Sequence, residues 1–339
     1  VPLWGHRPAR LATAMGLFVY LAVGGSMALT WEAHQTERSV THDASATQVV
    51  TKAKPNAPTE TFLLVGSDSR AGVDSNAPDA GGILGPGAPG GQRSDTIMLL
   101  RDNRNTGQAV LLSLPRDLWV TIAGTTGKDR INAAFTKNAG TLVQTIQNNF
   151  HIDINHYIAV DFSGFKKVVD AICGVTVCFP YPTKDTNTGL NIANSGCSKL
   201  DGIGSLQYTR SRHYQELKNG HWVEDPRSDL DRIQRQQEFI LSALNQAQGA
   251  LGQNPLLLSS LLTAAAASLT LDSGLTVTDL ANRFKPLAAN DLQRYSLPVI
   301  GVTLQGKAVL NVDTTAADPI LAYFRGETDT PPPTTTTTG

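Results

Sequence analysis

Short apolar runs bounded by turn residues alternate along this chain with longer stretches in which apolar residues recur every three or four positions. The runs Thr61–Val65, Thr96–Leu100, Ala109–Leu114, Tyr157–Val160 and Gly174–Cys178 predict strands, most of them buried on both faces. The spacing over Asn132–Phe150 predicts one helix, and Asp161 stands where it would cap another over Phe162–Ile172. Further helices are expected over about 226–249, 255–269 and 276–286, with Ala264–Ala267 as ordinary helix. Arg294–Val299 and Ala308–Asn311 are expected to return to the sheet. Strands and helices alternating in this way predict an α/β domain.

The first three strands each finish or begin beside an Arg/Asp pair: Asp68/Arg70, Arg93/Asp95 and Arg116/Asp117. One such pair is an ordinary structural ion pair. Three at strand ends point to a site, because open α/β sheets bind ligands there. A second basic cluster lies between Leu200 and Gln237, with Arg210, Arg212, Arg227, Arg232 and Arg235. Tyr208–Arg212 reads as a strand, and period two would put Tyr208, Arg210 and Arg212 on one face, with Tyr208 packed against the sheet. From Ser228 the spacing is helical. Leu230, Ile233, Ile240, Leu241 and Leu244 gather on one side, Asp229, Arg232 and Gln236 border them, and Arg235 points further away. Guanidinium groups converging from two elements suit phosphate. A solvated surface is the bland reading, and five arginines tip the balance toward a polyanion site.

Composition narrows the partners. The chain has 339 residues, is 41% hydrophobic, and carries a formal net charge of −1, so a real core is available and general nucleic-acid binding is disfavoured. Leu11–Trp31 is uncharged and long enough to span a bilayer; His6, Arg7 and Arg10 precede it and Glu32, Glu37 and Asp43 follow. The positive-inside rule predicts residues 1–10 in the cytoplasm, a transmembrane helix over 11–31, and the rest outside. A cleaved signal peptide competes, but the apolar stretch is long for one. Residues 32–58 read as a polar stalk, 59–328 as the extracytoplasmic domain, and 329–339 as a Pro/Thr-rich linker with more chain expected beyond it.

Cys178 and Cys197 flank a turn-rich loop and can close it as a disulfide in an oxidising compartment. Cys173 reads as a small buried residue, and His151 and His156 as surface or cap histidines. The glycines at 85, 87 and 90 fit a dinucleotide fingerprint by accident, since prolines interrupt them and no helix follows. No P-loop, zinc-protease or serine-hydrolase motif is present.

In order, VGSDSR, RSDTIMLL, SLPRDLWV, RINAAF, VDFSGFKKVVDAICGV, LDG…LQYTRSR and DLDRIQRQQ resemble the blocks of LytR-CpsA-Psr proteins, and the cysteine loop and Thr-rich tail resemble actinobacterial members. The resemblance covers about residues 61–245. It implies a three-layer α/β/α domain with a central mixed sheet behind one membrane helix. It also implies transfer of a glycopolymer, arabinogalactan in actinobacterial relatives, from a polyprenyl diphosphate carrier to a peptidoglycan hydroxyl through a phosphodiester. By motif position Arg70, Arg93, Arg116, Arg130, Arg210, Arg212 and Arg232 would bind the diphosphate with Gln236, and Asp68 and Asp95 would hold Mg²⁺. Asp68, Asp95 and Arg116 are then the expected catalytic residues. The family usually has Gly where Asp231 stands, which puts a negative charge beside Arg232; Arg130 replaces a common Lys and keeps its charge. A polyprenyl-diphosphate pyrophosphatase and a non-enzymatic lipid carrier are the alternatives, and the paired aspartates speak against the carrier. An attenuator of transcription finds no support, because no DNA-binding helix pair is evident.

Overall fold

The computed structural model describes residues 38–54, 57–69, 94–225, 229–253, 257–284 and 292–333. The chain divides into two compact units, Val1–Ser39 and Val40–Gly339. The membrane span expected over 11–31 lies outside the described residues, and no described helix is long and apolar enough to cross a membrane.

In chain order the elements are β1 (Thr41–His42), α1 (Ala44–Val49), β2 (Thr59–Ser67), β3 (Ser94–Asn103), β4 (Gln108–Leu114), β5 (Trp119–Thr121) and β6 (Lys128–Arg130). Then come α2 (Asn132–Phe135), α3 (Ala139–Phe150), β7 (His156–Val160), α4 (Phe162–Ala171), β8 (Val175–Phe179), β9 (Thr183–Asp185), β10 (Leu190–Ile192) and β11 (Gly196–Leu200). The chain continues through α5 (Gly202–Arg210), β12 (Gln215–Lys218), β13 (His221–Glu224), α6 (Asp229–Gln253), α7 (Leu257–Ala266) and β14 (Leu269–Leu271). It closes with α8 (Val277–Phe284), β15 (Gln293–Ser296), β16 (Val299–Leu304), β17 (Lys307–Val312) and α9 (Thr314–Arg325).

Seven strands form a mixed sheet in the order β1-β14-β7-β2-β3-β4-β15. Alternation along the strands sends their side chains to two cores. Leu63, Val65, Ile97, Leu99 and Leu112 pack with Leu142, Val143 and Ile146 of α3 and Ile320 and Phe324 of α9. Phe62, Met98, Leu100 and Leu111 pack instead with Ile240, Leu241 and Leu244 of α6, Ala266 of α7 and Leu280 of α8. Helices therefore cover both faces of the sheet, which explains why its strands read as unbroken apolar runs.

Several expectations are corrected. Residues 41–49, placed in the stalk, form β1 and α1; Ala46 is fully buried in the core. The single helix expected over Asn132–Phe150 is two, because Asn138 caps α3 by accepting from Thr141 N at 2.7 Å. Ala308–Asn311 does not rejoin the sheet but pairs with β16 in a hairpin. Leu230, placed on the apolar face of α6, is 45% exposed. Cys173 is exposed and sits at φ 61°, in the turn that follows α4, rather than buried. Cys178 and Cys197 do form a disulfide, between directly opposed residues of β8 and β11. The loop they close is partly ordered as β9 and β10, which join β12 and β13 in a second sheet.

His156 is not a surface histidine. It lies 3.3 Å from Glu60 Oε2 and 3.2 Å from Asp272 Oδ2, stacked on Phe62. Glu60 also pairs with Arg104 and Arg283. Burial pushes the Glu60 carboxyl up, but His156 and the two arginines outweigh it and bring it down to about 2. Burial pushes the His156 imidazole down, and its hydrogen bonds to Asp272 and Glu60 outweigh that and raise it.

Candidate functional site

Strands β2 and β7 run parallel, Gly66 opposite Val160, and beyond their C-terminal ends lies a cavity of about 580 Å³. The register of β2 against β3 shifts between Gly66 and Ser67. The approach there is close, since a Cβ on Gly66 would stand 3.0 Å from Thr96 Cβ. Such a crevice is where α/β sheets bind ligands.

Helix α4 starts at its edge because Asp161 Oδ1 accepts from Gly164 N at 2.7 Å. The neighbouring α5 corrects the strand expected over Tyr208–Arg212. Asp201 Oδ1 caps it by accepting from Gly204 N at 2.8 Å. Gly202 packs so closely on α4 that a Cβ there would fall 2.5 Å from Lys166 Cγ. Tyr208 is buried against Phe179 and Tyr214, while Arg210 at the helix end lies 4.4 Å over the Phe162 ring.

Arg210, Arg212, Arg232 and Gln236 all line the cavity. Arg212 arrives from the turn after α5, not from a shared strand face. Arg232 and Gln236 come from α6, are buried, and Gln236 donates to Thr209 O at 3.1 Å. The rest of the lining is largely apolar, from Leu64, Met98, Ile158, Phe165, Phe239 and Ile240. One cavity thus presents cations beside an oily wall.

One residue missed in the sequence, Asp185, holds the turn at 211–213. Asp185 is fully buried; its Oδ2 accepts from Ser211 Oγ at 2.6 Å and from the N–H groups of Arg212 and His213 at 3.0 Å each. Its Oδ1 accepts from Asn187 N at 2.8 Å. Burial pushes this carboxyl up, but the bonds from Ser211, Asn187 and His213 outweigh it and hold it below the usual range. The cue in the sequence was the Asp-Thr-Asn-Thr-Gly run, a turn signature. Arg235 faces away from the cavity, as expected. It pairs with Asp225 at 2.9 Å, donates to Ser211 O at 2.8 Å and lies over Tyr214.

Arg116 and Arg130 do not line the cavity; their Nε atoms lie 3.4 Å and 3.2 Å from Asp117, and Arg130 also donates to Ala308 O. Arg70, Arg93 and Arg227 lie outside the described residues, as does the side chain of Asp95. Asp68 follows β2 directly, half-buried, next to the cavity-lining Ser67. Ser67 pairs with Ser94 and Gly66 with Thr96, so Asp95 falls at the register shift, on the other side of the Ser67/Ser94 pair from Asp68. Among the described residues no group of three or more His, Cys, Asp or Glu is placed to hold a metal ion.

The chain is 38% identical over 206 residues to a probable cell wall biosynthesis protein, LcpB, of Corynebacterium glutamicum, covering 60% of this chain and 44% of the relative. It is 36% identical over 162 residues to the polyisoprenyl-teichoic acid–peptidoglycan teichoic acid transferase TagU of Oceanobacillus iheyensis, covering 46% of each. The chain spans about half the length of the curated relatives it matches. Among solved structures, a LytR-Csp2A-Psr enzyme from Actinomyces oris superposes with a TM-score of 0.61 at 26% identity, covering 84% of this chain and 95% of that one. The model of the LytR_cpsA_psr family matches residues 25–324. With that match across most of its length, the chain belongs to the LytR-CpsA-Psr family.

Proposed function

We propose that this protein is a phosphotransferase that moves a glycopolymer, arabinogalactan, from a polyprenyl diphosphate carrier to a peptidoglycan hydroxyl, leaving a phosphodiester link. The observation that carries this reading is the cavity itself, with Arg210, Arg212, Arg232 and Gln236 beside Met98, Phe165, Phe239 and Ile240. A diphosphate wants guanidinium forks, and a prenyl chain wants apolar walls. Few ligands join the two so directly. The Oceanobacillus relative, a polyisoprenyl-teichoic acid–peptidoglycan teichoic acid transferase, supports the same reaction class. The Corynebacterium relative, a probable cell wall biosynthesis protein, supports a cell-wall polymer as the group transferred.

Phosphoryl transfer asks the protein mainly for positioning and charge neutralisation. Arg210, Arg212 and Arg232 would bind the diphosphate and stabilise the charge that gathers on the departing polyprenyl phosphate, with Arg70, Arg93, Arg116 and Arg130 extending that field. Asp68 and Asp95 suit Mg²⁺, which needs only one or two carboxylates beside phosphate oxygens, so a preformed cage is not required. Asp68 and Asp95 would hold the ion, which when bound would supply neutralisation of phosphate charge. The disulfide Cys178–Cys197 supports an extracytoplasmic domain, anchored by residues 11–31 with the N-terminus in the cytoplasm.

The test supplies the protein with a short-chain polyprenyl-diphosphate glycan and a peptidoglycan oligomer, with and without Mg²⁺, and identifies products by mass spectrometry. A phosphodiester-linked glycan is expected. Arg210→Ala should lower transfer by about 10- to 100-fold, the worth of a charge-assisted hydrogen bond of about 1.5–3 kcal/mol. Phosphorylated sugar released to water alone would replace this reading with a pyrophosphatase, and tight binding without turnover with a carrier.

A further inference from the structure

Arginines and a cation neutralise charge, but none of them takes the proton that the acceptor hydroxyl must lose. Asp68 and Asp95, if they hold a cation, are poor bases. Apart from Asp161, whose Oδ1 caps α4, and Asp185, which is fully buried, the described cavity wall carries one group able to take a proton, His213. Its Nδ1 lies 2.7 Å from Oε1 of Glu224, across the junction of the α5–β12 turn and strand β13. A carboxylate only accepts hydrogen bonds, so in the neutral imidazole Nδ1 carries the hydrogen and Nε2 keeps its lone pair. The ring is thereby set in one tautomer with its basic nitrogen available.

We propose that His213 is the general base for the acceptor hydroxyl and that Glu224 is its positioning residue. This rests on the transferase reading above. His213 is 56% exposed in its side chain and also borders the cavity, so it stands at the mouth. A hydroxyl on a large polymer arriving from solvent meets it there, on the way to the diphosphate. The backbone of the ring is fixed from below: Asp185 accepts from the His213 N–H and from its neighbours Ser211 and Arg212, and Arg235 donates to Ser211 O. One buried carboxylate therefore places both a phosphate-binding arginine and the proposed base. Glu224 pairs with the His213 ring, and the charged groups that share the described cavity wall with it are Asp161, Asp185, Arg210, Arg212 and Arg232.

In the reaction, His213 Nε2 takes the hydroxyl proton as the acceptor oxygen bonds to the glycan-bearing phosphorus. The bond from that phosphorus to the bridging oxygen breaks. Polyprenyl phosphate leaves with the bridging oxygen and its electron pair, among the arginines. The proton rests on the imidazolium beside Glu224 until solvent removes it.

An exposed His–carboxylate pair elsewhere would be a surface contact of little consequence for stability, and that contrast supplies the test. In the full chain, with a short-chain polyprenyl-diphosphate glycan as donor and a peptidoglycan oligomer as acceptor, His213→Ala should lower kcat by about 10²- to 10⁴-fold. Donor affinity and urea midpoint should stay near those of the unaltered chain, and added imidazole should restore part of the rate. Glu224→Gln should show a smaller loss in kcat, again without loss of stability. Transfer by His213→Ala at the unaltered rate overturns the assignment. So does loss of donor binding alongside transfer with no rescue by imidazole, which would make the ring a part of the scaffold. If the unaltered chain forms no phosphodiester product, the transferase reading falls and takes this assignment with it.

Discussion

Asp185→Asn is the most informative single change in the scaffold of the site. The carboxylate is fully buried and accepts from Ser211 Oγ, the N–H groups of Arg212 and His213, and Asn187 N, with Thr188 N more distant at 3.4 Å. Asparagine has the same shape but only one acceptor oxygen; its other arm donates. In the better orientation the amide oxygen keeps the Ser211, Arg212 and His213 bonds, and the NH₂ then faces the Asn187 and Thr188 N–H groups. One good charge-assisted bond is lost and donors oppose one another in a buried place, at about 2–4 kcal/mol. Urea unfolding followed by circular dichroism should show a lower midpoint with an unchanged slope. Donor affinity should fall with it, because the bond that holds the Arg212 backbone then ends on a neutral amide oxygen and is weaker. The carboxyl's pKa lies below its ordinary 3.8, so its contribution is present above that value and fades as pH falls further. The variant should lack this part of the acid sensitivity. A change under about 0.5 kcal/mol, the usual range for surface substitutions, would refute the view of Asp185 as the clamp on the 211–213 turn.

Two further outcomes follow from features outside the cavity. Replacing Cys178 and Cys197 with serine frees a loop with a sequence separation of 19 and should cost about 3 kcal/mol on the chain-entropy estimate; thermal melts with and without reductant would coincide for the variant and differ for the unaltered protein. The Glu60–His156 cluster sets a pH window. Glu60, lowered from 4.5 to about 2, contributes above pH 4.5 and loses its contribution as pH falls through about 2. His156, raised above its ordinary 6.5, contributes fully below that value and less as pH rises through its folded pKa. Melting temperatures should therefore be highest between these limits, and His156→Gln should flatten the alkaline decline; an unchanged decline would show that the histidine stays unpaired in solution.

The apolar strands were legible because their neighbours are simple. Thr61–Val65 and Thr96–Leu100 lie between two helical layers, so nearly every position is apolar and the run announces itself. Helix α5 was not legible. Gly202 and Gly204 lower helix propensity and Tyr208-Thr209 favours a strand, yet the segment is helical because Asp201 caps it and Gly202 permits contact with α4. The same failure hid the true reason that Arg210 and Arg212 share a site. His156 looked like a surface residue because its partners, Glu60 and Asp272, are far away in the chain.

The sequence by itself determined the α/β class, the strand cores, the capping Asp161, the disulfide partners and the family, all of which depend on local pattern or ordered motifs. Only the tertiary structure decided that Arg210, Arg212, Arg232 and Gln236 line one cavity while Arg116 and Arg130 turn to Asp117. It also decided that Asp185 and Glu224 fix the turn and ring of His213. The physical reason is that charge and hydrogen-bond partners act over a few ångströms of space, and the chain brings them together from separate elements whose spacing leaves no periodic trace.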